Sequence, residues 1–285
     1  MLGYLLIGLA SGAAYALMAV GIVLVYKGSK VLSFAQGEIG AFGMFLAWTL
    51  HDRGMPVALA ALIGVALAGV LGIVVERYAI RPLEGRPPLA GAVVTLGIAL
   101  GLTYTEGTIW GFNIKSYPSS VGSASISVGD AVLSTTNLTA MLLAGTTAAG
   151  MYFFFSRSRF GLAVLAATAD PDVARVLGVP VTRVYRFAWG LGGVLSGLAA
   201  VILVPQFGAL VPFHQTLFSI RALAGAIIGG LDSVQGAIVG SLIVGVAESL
   251  SRGYIGGGGI TDLVVFALIL STLLVRPRGL FGARA

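Results

Sequence analysis

Long apolar runs, separated by short polar turns, dominate the pattern of residues along the chain. A membrane-spanning helix needs about 20 mostly apolar residues, and runs of similar length recur nine times here. The segments are 2–26, 34–50, 56–76, 89–111, 138–155, 186–205, 217–230, 235–251 and 260–275. The pattern predicts an all-α, polytopic helical membrane protein with one transmembrane domain over residues 1–285 and eight to nine crossings.

The seventh segment, 217–230, is short for a full crossing. It runs into Gly229-Gly230-Leu231-Asp232-Ser233, a sequence typical of a turn. Irregular backbone at membrane depth is tolerated only where protein or a cavity surrounds it. We expect a half-helix, a re-entrant segment, or one broken helix shared with the eighth segment, with the break at membrane depth or near one face. Asp232 and Gln235 flank it and are candidates for a helix break or a solute path.

Composition excludes a soluble domain. The chain is 57% hydrophobic and 10% charged, whereas soluble proteins carry about 25% charged residues. The net charge of +6 comes from basic residues beside helix ends, so it does not indicate nucleic-acid binding. With no cysteine, disulfides and thiol catalysis are excluded.

Basic residues set the expected orientation. They form four clusters: Lys27 and Lys30; Arg77, Arg81 and Arg86; Arg157, Arg159, Arg175, Arg183 and Arg186; and Arg276, Arg278 and Arg284. Nine crossings, with the N-terminus outside and the C-terminus inside, place every cluster in the cytoplasm. Eight crossings break this arrangement. No basic residue precedes the first apolar run, so we expect a retained helix in the inner (plasma) membrane rather than a cleaved signal.

The start of the second segment carries polar residues. Ser33-Phe-Ala-Gln36 has the spacing of a capping box and predicts a helix start near the cytoplasmic face. Glu38 follows about one turn inside the helix, where a lone carboxylate is costly. Its side chain is expected either at a wet interface or facing the bundle interior. Gln36 and Glu38 are candidates for the translocation path.

Three further ionisable residues lie within apolar segments: Glu106, Arg221 and Glu248. In the nine-crossing arrangement all three fall towards the outer face, so Arg221 is able to pair with a carboxylate. Such a pair either holds the short seventh segment in place or lines a solute path. Both interpretations remain open at this stage.

A basic, partly polar stretch from Arg157 to Arg186 interrupts the apolar pattern. Its centre, Ala166 to Pro180, predicts a short helix ended by Gly178 and Pro180. The flanking arginines place it in a cytoplasmic loop over 157–186. A short helix between two spanning segments suits the docking of a soluble partner.

Motifs for catalysis are missing from the sequence. There is no H-E-x-x-H or G-x-S-x-G pattern, and no lysine follows a glycine as in a phosphate-binding loop. His51 and His214 have no partner at metal-ligand spacing. The sequence therefore predicts a protein that is not an enzyme, with no cofactor and no metal, and any ATP is bound by another chain.

Several stretches together resemble one known family. They are Gly8 to Gly21, Val31 to Glu38, Glu76 to Leu83, Asp172 to Gly178, Gly229 to Gly236 and Arg276 to Gly282. Their order resembles the membrane-spanning subunit of bacterial ABC importers for branched-chain amino acids, specifically the first of the two permease chains. Three positions depart from the family pattern: Ser33 and Gln36 replace Asn and His, and Asp232 replaces Gly.

The resemblance implies that a coupling helix at about 163–178 sits in a groove on an ATPase subunit. The residues that it assigns to this contact are Ala167, Asp170, Asp172, Ala174, Arg175 and Gly178. It also implies a second homologous permease chain, two cytoplasmic ATP-binding subunits and an extracytoplasmic solute-binding protein. The implied cargo is a branched-chain or other small apolar amino acid, with urea or short amides as the alternative.

A different class of function also fits the ionisable residues. A proton-coupled secondary transporter, acting without an ATPase, would use the carboxylates of Glu38, Glu106 and Glu248 together with Arg221. An essential titrating carboxylate distinguishes this hypothesis from an ATP-driven permease.

Overall fold

A computed structural model describes residues 1–118, 125–128, 131–256 and 258–282. Helices make up most of this part of the chain, and one short β-hairpin lies between α4 and α5. The helices are α1 (Leu2–Ser29), α2 (Gln36–Asp52), α3 (Val57–Val75), α4 (Pro88–Trp110), α5 (Thr135–Arg157), α6 (Arg159–Ala169), α7 (Pro171–Val176), α8 (Val181–Phe207), α9 (His214–Gly229), α10 (Val234–Tyr254) and α11 (Gly258–Val275). The hairpin pairs β1 (Ser125–Val128) with β2 (Ala131–Ser134).

Each of the nine predicted apolar segments corresponds to a helix. Within the described residues, five helices are long and apolar enough to cross a membrane, and α3 is counted together with its extension to Leu83. The five are Leu2–Ser29, Val57–Leu83, Pro88–Trp110, Val181–Phe207 and Val234–Tyr254. The helical membrane fold is confirmed, while the number of crossings stays a prediction. Residues 119–124 and 129–130, between α4 and α5, lie outside the described part of the chain.

Helix α1 forms the centre of the bundle and is buried along most of its length. It packs against α8, α9 and α10. Gly12 lies against the backbone of Ser241 and Leu242, and Gly245 lies against Gly8. Without a hydrophobic force between helices in lipid, such close backbone contacts stabilise the bundle through packing. Any side chain at these positions would push α1 and α10 apart.

Helices α9 and α10 form an antiparallel hairpin. Gly229 contacts Gly236, and Gly225 contacts Ser241, so the helices run back along one another from the turn. The expectation of a single broken helix is therefore wrong. The turn lies at the bundle end where α1 stops, because the Asp232 carboxylate pairs with Lys30 at 3.7 Å.

The prediction of a capping box at the start of α2 is also wrong. The helix begins at Gln36 with Ala35 at the cap position, and no side chain caps it. The buried Ser33 hydroxyl has no hydrogen-bond partner among the described residues. Instead, Thr95 of α4 bridges the backbone before the helix: its hydroxyl accepts from the Phe34 amide at 3.2 Å and donates to the Leu32 carbonyl at 3.3 Å.

The described residues of the four basic clusters lie at one end of the bundle, and Arg284 falls outside the described part of the chain. Lys30 of the first cluster reaches Asp232, and Gly279, beside the last cluster, packs against Gly230. The second and third clusters meet at the buried Glu76 carboxylate, which pairs with Arg81 at 3.2 Å and with Arg186 at 3.8 Å.

The C-terminal segment closes the turn between α9 and α10. The backbone amides of Leu280 and Phe281 donate to the carbonyls of Ile228 and Gly229, at 2.8 and 2.9 Å. These carbonyls belong to the last turn of α9, which has no helical partner for them. The segment therefore satisfies the end of a helix that lies elsewhere in the sequence.

Candidate functional site

Apart from Glu76 and its arginines at the basic end, two separate groups of ionisable side chains lie in the described part of the bundle. One group, called here the Glu248 cluster, consists of Tyr15, Arg221, Glu248, Arg252 and Asp262. The other, called the acid pair, consists of Glu38 and Glu106. The two groups share α9, which supplies Arg221 to the first and Thr216 to the second.

Glu248 is held by three neighbours. Its carboxylate accepts from the Tyr15 hydroxyl at 2.8 Å and from Arg252 at 2.7 Å. The Arg221 guanidinium lies 3.3 Å away and reaches Asp262 of α11 at 3.0 Å. The carboxylate that Arg221 pairs with is thus that of Glu248, one of the pairings that the sequence allowed. The cluster links α1, α9, α10 and α11.

Aromatic rings enclose the two arginines of this cluster. Arg221 lies over the Phe218 ring, 5.9 Å from its centroid, and Arg252 lies over Phe207 at 5.7 Å. A guanidinium over an aromatic face is attracted by the ring quadrupole. The cluster is consequently a packed, charge-compensated unit.

The acid pair has a different environment. Glu38 is 1% exposed and Glu106 is 0% exposed, so both carboxyl groups face the bundle interior. This answers the question left open for Glu38. The two carboxyl groups are neighbours, with the Thr103 side chain beside Glu38. The Thr216 hydroxyl of α9 donates to Oε1 of Glu38.

Oε2 of Glu38 and both oxygens of Glu106 receive no hydrogen bond from an N–H or alcohol O–H donor of the described residues, and the two carboxyl groups lie within hydrogen-bond reach of each other. Among the described residues, no lysine or arginine pairs with Glu38 or Glu106. Arg221, which also lies on α9, pairs instead with Glu248 and Asp262. Burying a carboxylate without a cation is costly in a membrane protein. The pair is therefore not explained by packing alone.

The start of α2 lies well inside the bundle. Gly192 of α8 contacts both the Gln36 side chain and Gly21 of α1, so Gln36 lies at the level of Gly21. Gly21 precedes the end of α1 at Ser29 by eight residues, which is about 12 Å of helix. The Ser196 hydroxyl donates a hydrogen bond to Oε1 of the Gln36 side chain at 3.2 Å.

Helix α9 also begins at depth. Its Phe218 packs on the Tyr15 ring, with centroids 6.3 Å apart, and Tyr15 lies near the middle of α1. Ser219 of α9 contacts Gly37 of α2, so the first turns of α2 and α9 meet beside the acid pair. Discontinuous helices that start near the membrane centre commonly form solute sites in transporters.

Asp232 and Gln235 lie elsewhere. Both side chains are exposed at the turn between α9 and α10, and Asp232 pairs with Lys30. The structure thus separates these two candidates from Gln36, Glu38, Glu106, Arg221 and Glu248. Their position is at the basic end of the bundle rather than beside the buried polar groups.

The segment expected to dock a partner is two helices, not one. Asp170 ends α6 and caps α7, because its carboxylate accepts from the Asp172 and Val173 amides at 3.0 Å each. Gly178 adopts a φ of +80°, a conformation that favours glycine and ends α7.

The side chains of this segment divide into two faces. Ala167 and Ala174 are buried, packed with Val164, Val181 and Val184. The exposed face carries an ion pair between Arg175 and Asp172 at 2.7 Å. It also carries three apolar side chains that sequence reasoning passed over: Val173, Val176 and Leu177.

Glu76 is a further residue that sequence reasoning missed. It begins a short π-helical turn, Glu76–Ile80, that extends α3. Such turns often occur at functional sites. The available signal was a single acidic residue followed closely by two arginines at a helix end.

Comparisons with known proteins agree with this architecture. Residues 4–273 match the family described as branched-chain amino acid transport system / permease component. The high-affinity branched-chain amino acid transport permease LivH of Escherichia coli K12 is 30% identical over 96% of this chain and 93% of its own length. BraD of Pseudomonas aeruginosa is 30% identical, covering 96% of this chain and 94% of its own.

A more distant relative is the probable branched-chain amino acid transport permease LivH of Methanocaldococcus jannaschii. It is 27% identical over 93% of this chain and 88% of its own length. No solved structure matches. Because the family match extends over nearly the whole chain, this protein belongs to the permease-component family of branched-chain amino acid transport systems.

Proposed function

We propose that this chain is the membrane pathway subunit of an ATP-driven importer for branched-chain or other small apolar amino acids. The observation that carries the proposal is the family match over residues 4–273. The chain itself has no nucleotide-binding motif, so the energy source is a separate pair of ATP-binding subunits. A second permease chain and an external solute-binding protein complete the complex.

The proposed orientation places the basic end of the bundle in the cytoplasm, with the N-terminus outside and the C-terminus inside. The supporting observation is the convergence of the four basic clusters at that end. Positively charged residues are concentrated on the cytoplasmic side of membrane proteins. Helix α7 lies next to the start of α8, and so belongs to the same end.

The α6–α7 segment is the proposed contact with the ATP-binding subunit. Val176 is 88% exposed and Leu177 is 73% exposed, and Asp172 and Arg175 border them. Apolar side chains surrounded by charges are typical of a protein interface. The buried Ala167 and Ala174 support this contact by packing beneath the exposed face. Asp170 caps the start of α7, and Gly178 ends it.

Uptake by the complete importer in lipid vesicles tests the function. We expect ATP-dependent accumulation of leucine that persists when a protonophore removes the proton gradient. The chain alone should neither hydrolyse ATP nor accumulate solute. Absence of ATP-driven uptake of any branched-chain amino acid by the complete complex would contradict the proposal.

Substitutions on the exposed face of α7 test the docking contact. Val176→Asp and Leu177→Asp should abolish ATP-driven uptake and release the ATP-binding subunits during purification, because a charge is placed in an apolar interface. Tyr78→Asp is the matched control, since Tyr78 is 69% exposed on the turn after α3. Full activity in both α7 variants would contradict this contact.

A proton-coupled transporter is the second candidate, favoured by the uncompensated acid pair. Leucine uptake by the lone chain, driven by a proton gradient without ATP, would support it. Urea and short amides are the alternative cargo. A thermal-shift screen of the cognate binding protein against amino acids, urea and amides distinguishes these cargo classes.

A further inference from the structure

We propose that Glu38 and Glu106 form the site within the membrane that receives the ammonium group of the transported amino acid. This inference rests on the proposed function, since it assigns a binding step to the pathway of that importer. Its ligand class is a primary ammonium on a small apolar molecule. Thr216 is a positioning residue that holds one carboxylate in place.

The first argument is charge. Glu38 and Glu106 are neighbouring buried carboxyl groups, and no basic side chain of the described residues pairs with them. Two neighbouring carboxyl groups that are both ionised repel strongly where water is excluded. A site of this kind is completed by a positive charge that the described side chains do not supply.

The second argument is the number of hydrogen-bond acceptors. Oε2 of Glu38 and the two oxygens of Glu106 are the three atoms of the pair that receive no hydrogen bond from an N–H or alcohol O–H donor of the described residues. A primary ammonium carries three N–H donors and no acceptor, so its donors and the free acceptors match in number. The fourth oxygen, Oε1 of Glu38, is already occupied by the Thr216 hydroxyl.

The third argument is location. The pair lies where the first turns of α2 and α9 meet inside the bundle, with α4 providing Glu106 and Thr103. Helices that begin at membrane depth are tolerated where protein or a cavity surrounds the irregular backbone. By contrast, the Glu248 cluster provides its own cations and offers no comparable set of free acceptors.

A metal ion fits this site less well. Calcium takes six to eight oxygen ligands and magnesium requires octahedral geometry with retained waters. The acid pair offers three free oxygens in an environment closed to solvent. An ammonium needs only these three.

Uptake by the complete importer in vesicles tests the assignment. In Glu38→Gln and Glu106→Gln, leucine uptake should fall about tenfold or more, because each change removes a hydrogen bond to a charged group. ATP hydrolysis stimulated by the leucine-loaded binding protein should fall much less than leucine uptake does. Glu84→Gln is the matched control, since Glu84 is exposed in the loop before α4.

Two outcomes would overturn the ammonium site. One is wild-type uptake in both glutamine variants. The other is a parallel loss of uptake and of stimulated ATP hydrolysis, which would assign the pair to assembly or coupling. Neither outcome affects the proposed function, whose own failure is an inactive wild-type complex.

A second measurement identifies the chemical group. Saturation-transfer NMR of the wild-type membrane complex in nanodiscs, without the binding protein, compares leucine methyl ester with 4-methylpentanoate. The ester keeps the ammonium and loses the carboxylate, whereas 4-methylpentanoate has the opposite pattern. We expect a signal for the ester that disappears in Glu106→Gln, and no such difference for 4-methylpentanoate. Equal wild-type-minus-variant signals for the two compounds would overturn the assignment.

Discussion

The Glu248 cluster and the acid pair are two solutions to the burial of carboxylates in the same bundle. Glu248 receives two guanidinium groups and a tyrosine hydroxyl. Glu38 receives a threonine hydroxyl and has a second carboxyl group as its neighbour. Thus the charge of the first carboxylate is compensated by side chains of the fold. In the proposed site, the second is compensated by the ammonium group of the transported amino acid.

This difference separates structure from function among residues that look alike in the sequence. Each is a single acidic residue within an apolar segment. The Glu248 cluster joins four helices, so its charges belong to the architecture. The acid pair joins α2 and α4 through groups that repel when ionised, which is a cost that a purely structural site would avoid.

The largest expected effect is from breaking the compensated cluster. Glu248→Gln leaves Arg221, whose side chain is 12% exposed, with only Asp262, which is 63% exposed at its side chain. Removing one member of a buried ion pair costs about 3–5 kcal/mol, so we expect a much lower thermal unfolding temperature in detergent. Asp262→Asn serves as the control with a smaller effect. An unchanged unfolding temperature in Glu248→Gln would contradict the structural role.

A paired substitution sharpens the same point. Glu248→Leu combined with Arg221→Met removes both buried charges, and apolar replacements of a buried ion pair are often neutral or stabilising. We expect the double variant to unfold at a higher temperature than either single variant. A double variant less stable than both singles would show that the charges are needed for another reason.

The acid pair should respond in the opposite direction. Glu38→Gln and Glu106→Gln remove repulsion between neighbouring carboxyl groups, so we expect unchanged or higher unfolding temperatures in detergent. A decrease as large as that of Glu248→Gln would remove the distinction between the two groups. This measurement is independent of transport.

The smallest effect is expected at the edge of the Glu248 cluster. Arg252 is 53% exposed at its side chain, and exposed ion pairs are worth about 0–1 kcal/mol. Arg252→Ala should therefore shift the unfolding temperature only slightly. A loss equal to that of Glu248→Gln would show that Arg252, rather than Arg221, compensates the carboxylate.

Much of the fold follows from hydrophobic patterning. Every predicted apolar segment corresponds to a helix, because lipid requires backbone hydrogen bonds to be made within each segment. The pairing of Arg221 with a carboxylate was also predictable from expected depth. The start of α2 was not, since Ser33 and Gln36 have capping-box spacing but the backbone before the helix is held by Thr95 of a distant segment.

The acid pair could not be predicted from local sequence patterns. Glu38 and Glu106 lie on different helices, and nothing in either segment specifies that they face one another. Similarly, the family resemblance assigned Ala167 and Ala174 to the docking contact, but both side chains pack inward. Small residues fit both a close interface and a buried core, so only the fold distinguishes the two.

The C-terminal segment has a practical consequence for work with purified protein. The amides of Leu280 and Phe281 terminate α9, so truncation after Gly279 would fray the hairpin beside the basic end. An affinity tag fused directly behind Phe281 would strain the same backbone bonds. A purification handle is better placed at Met1, which is 78% exposed, or behind a flexible spacer at the other terminus.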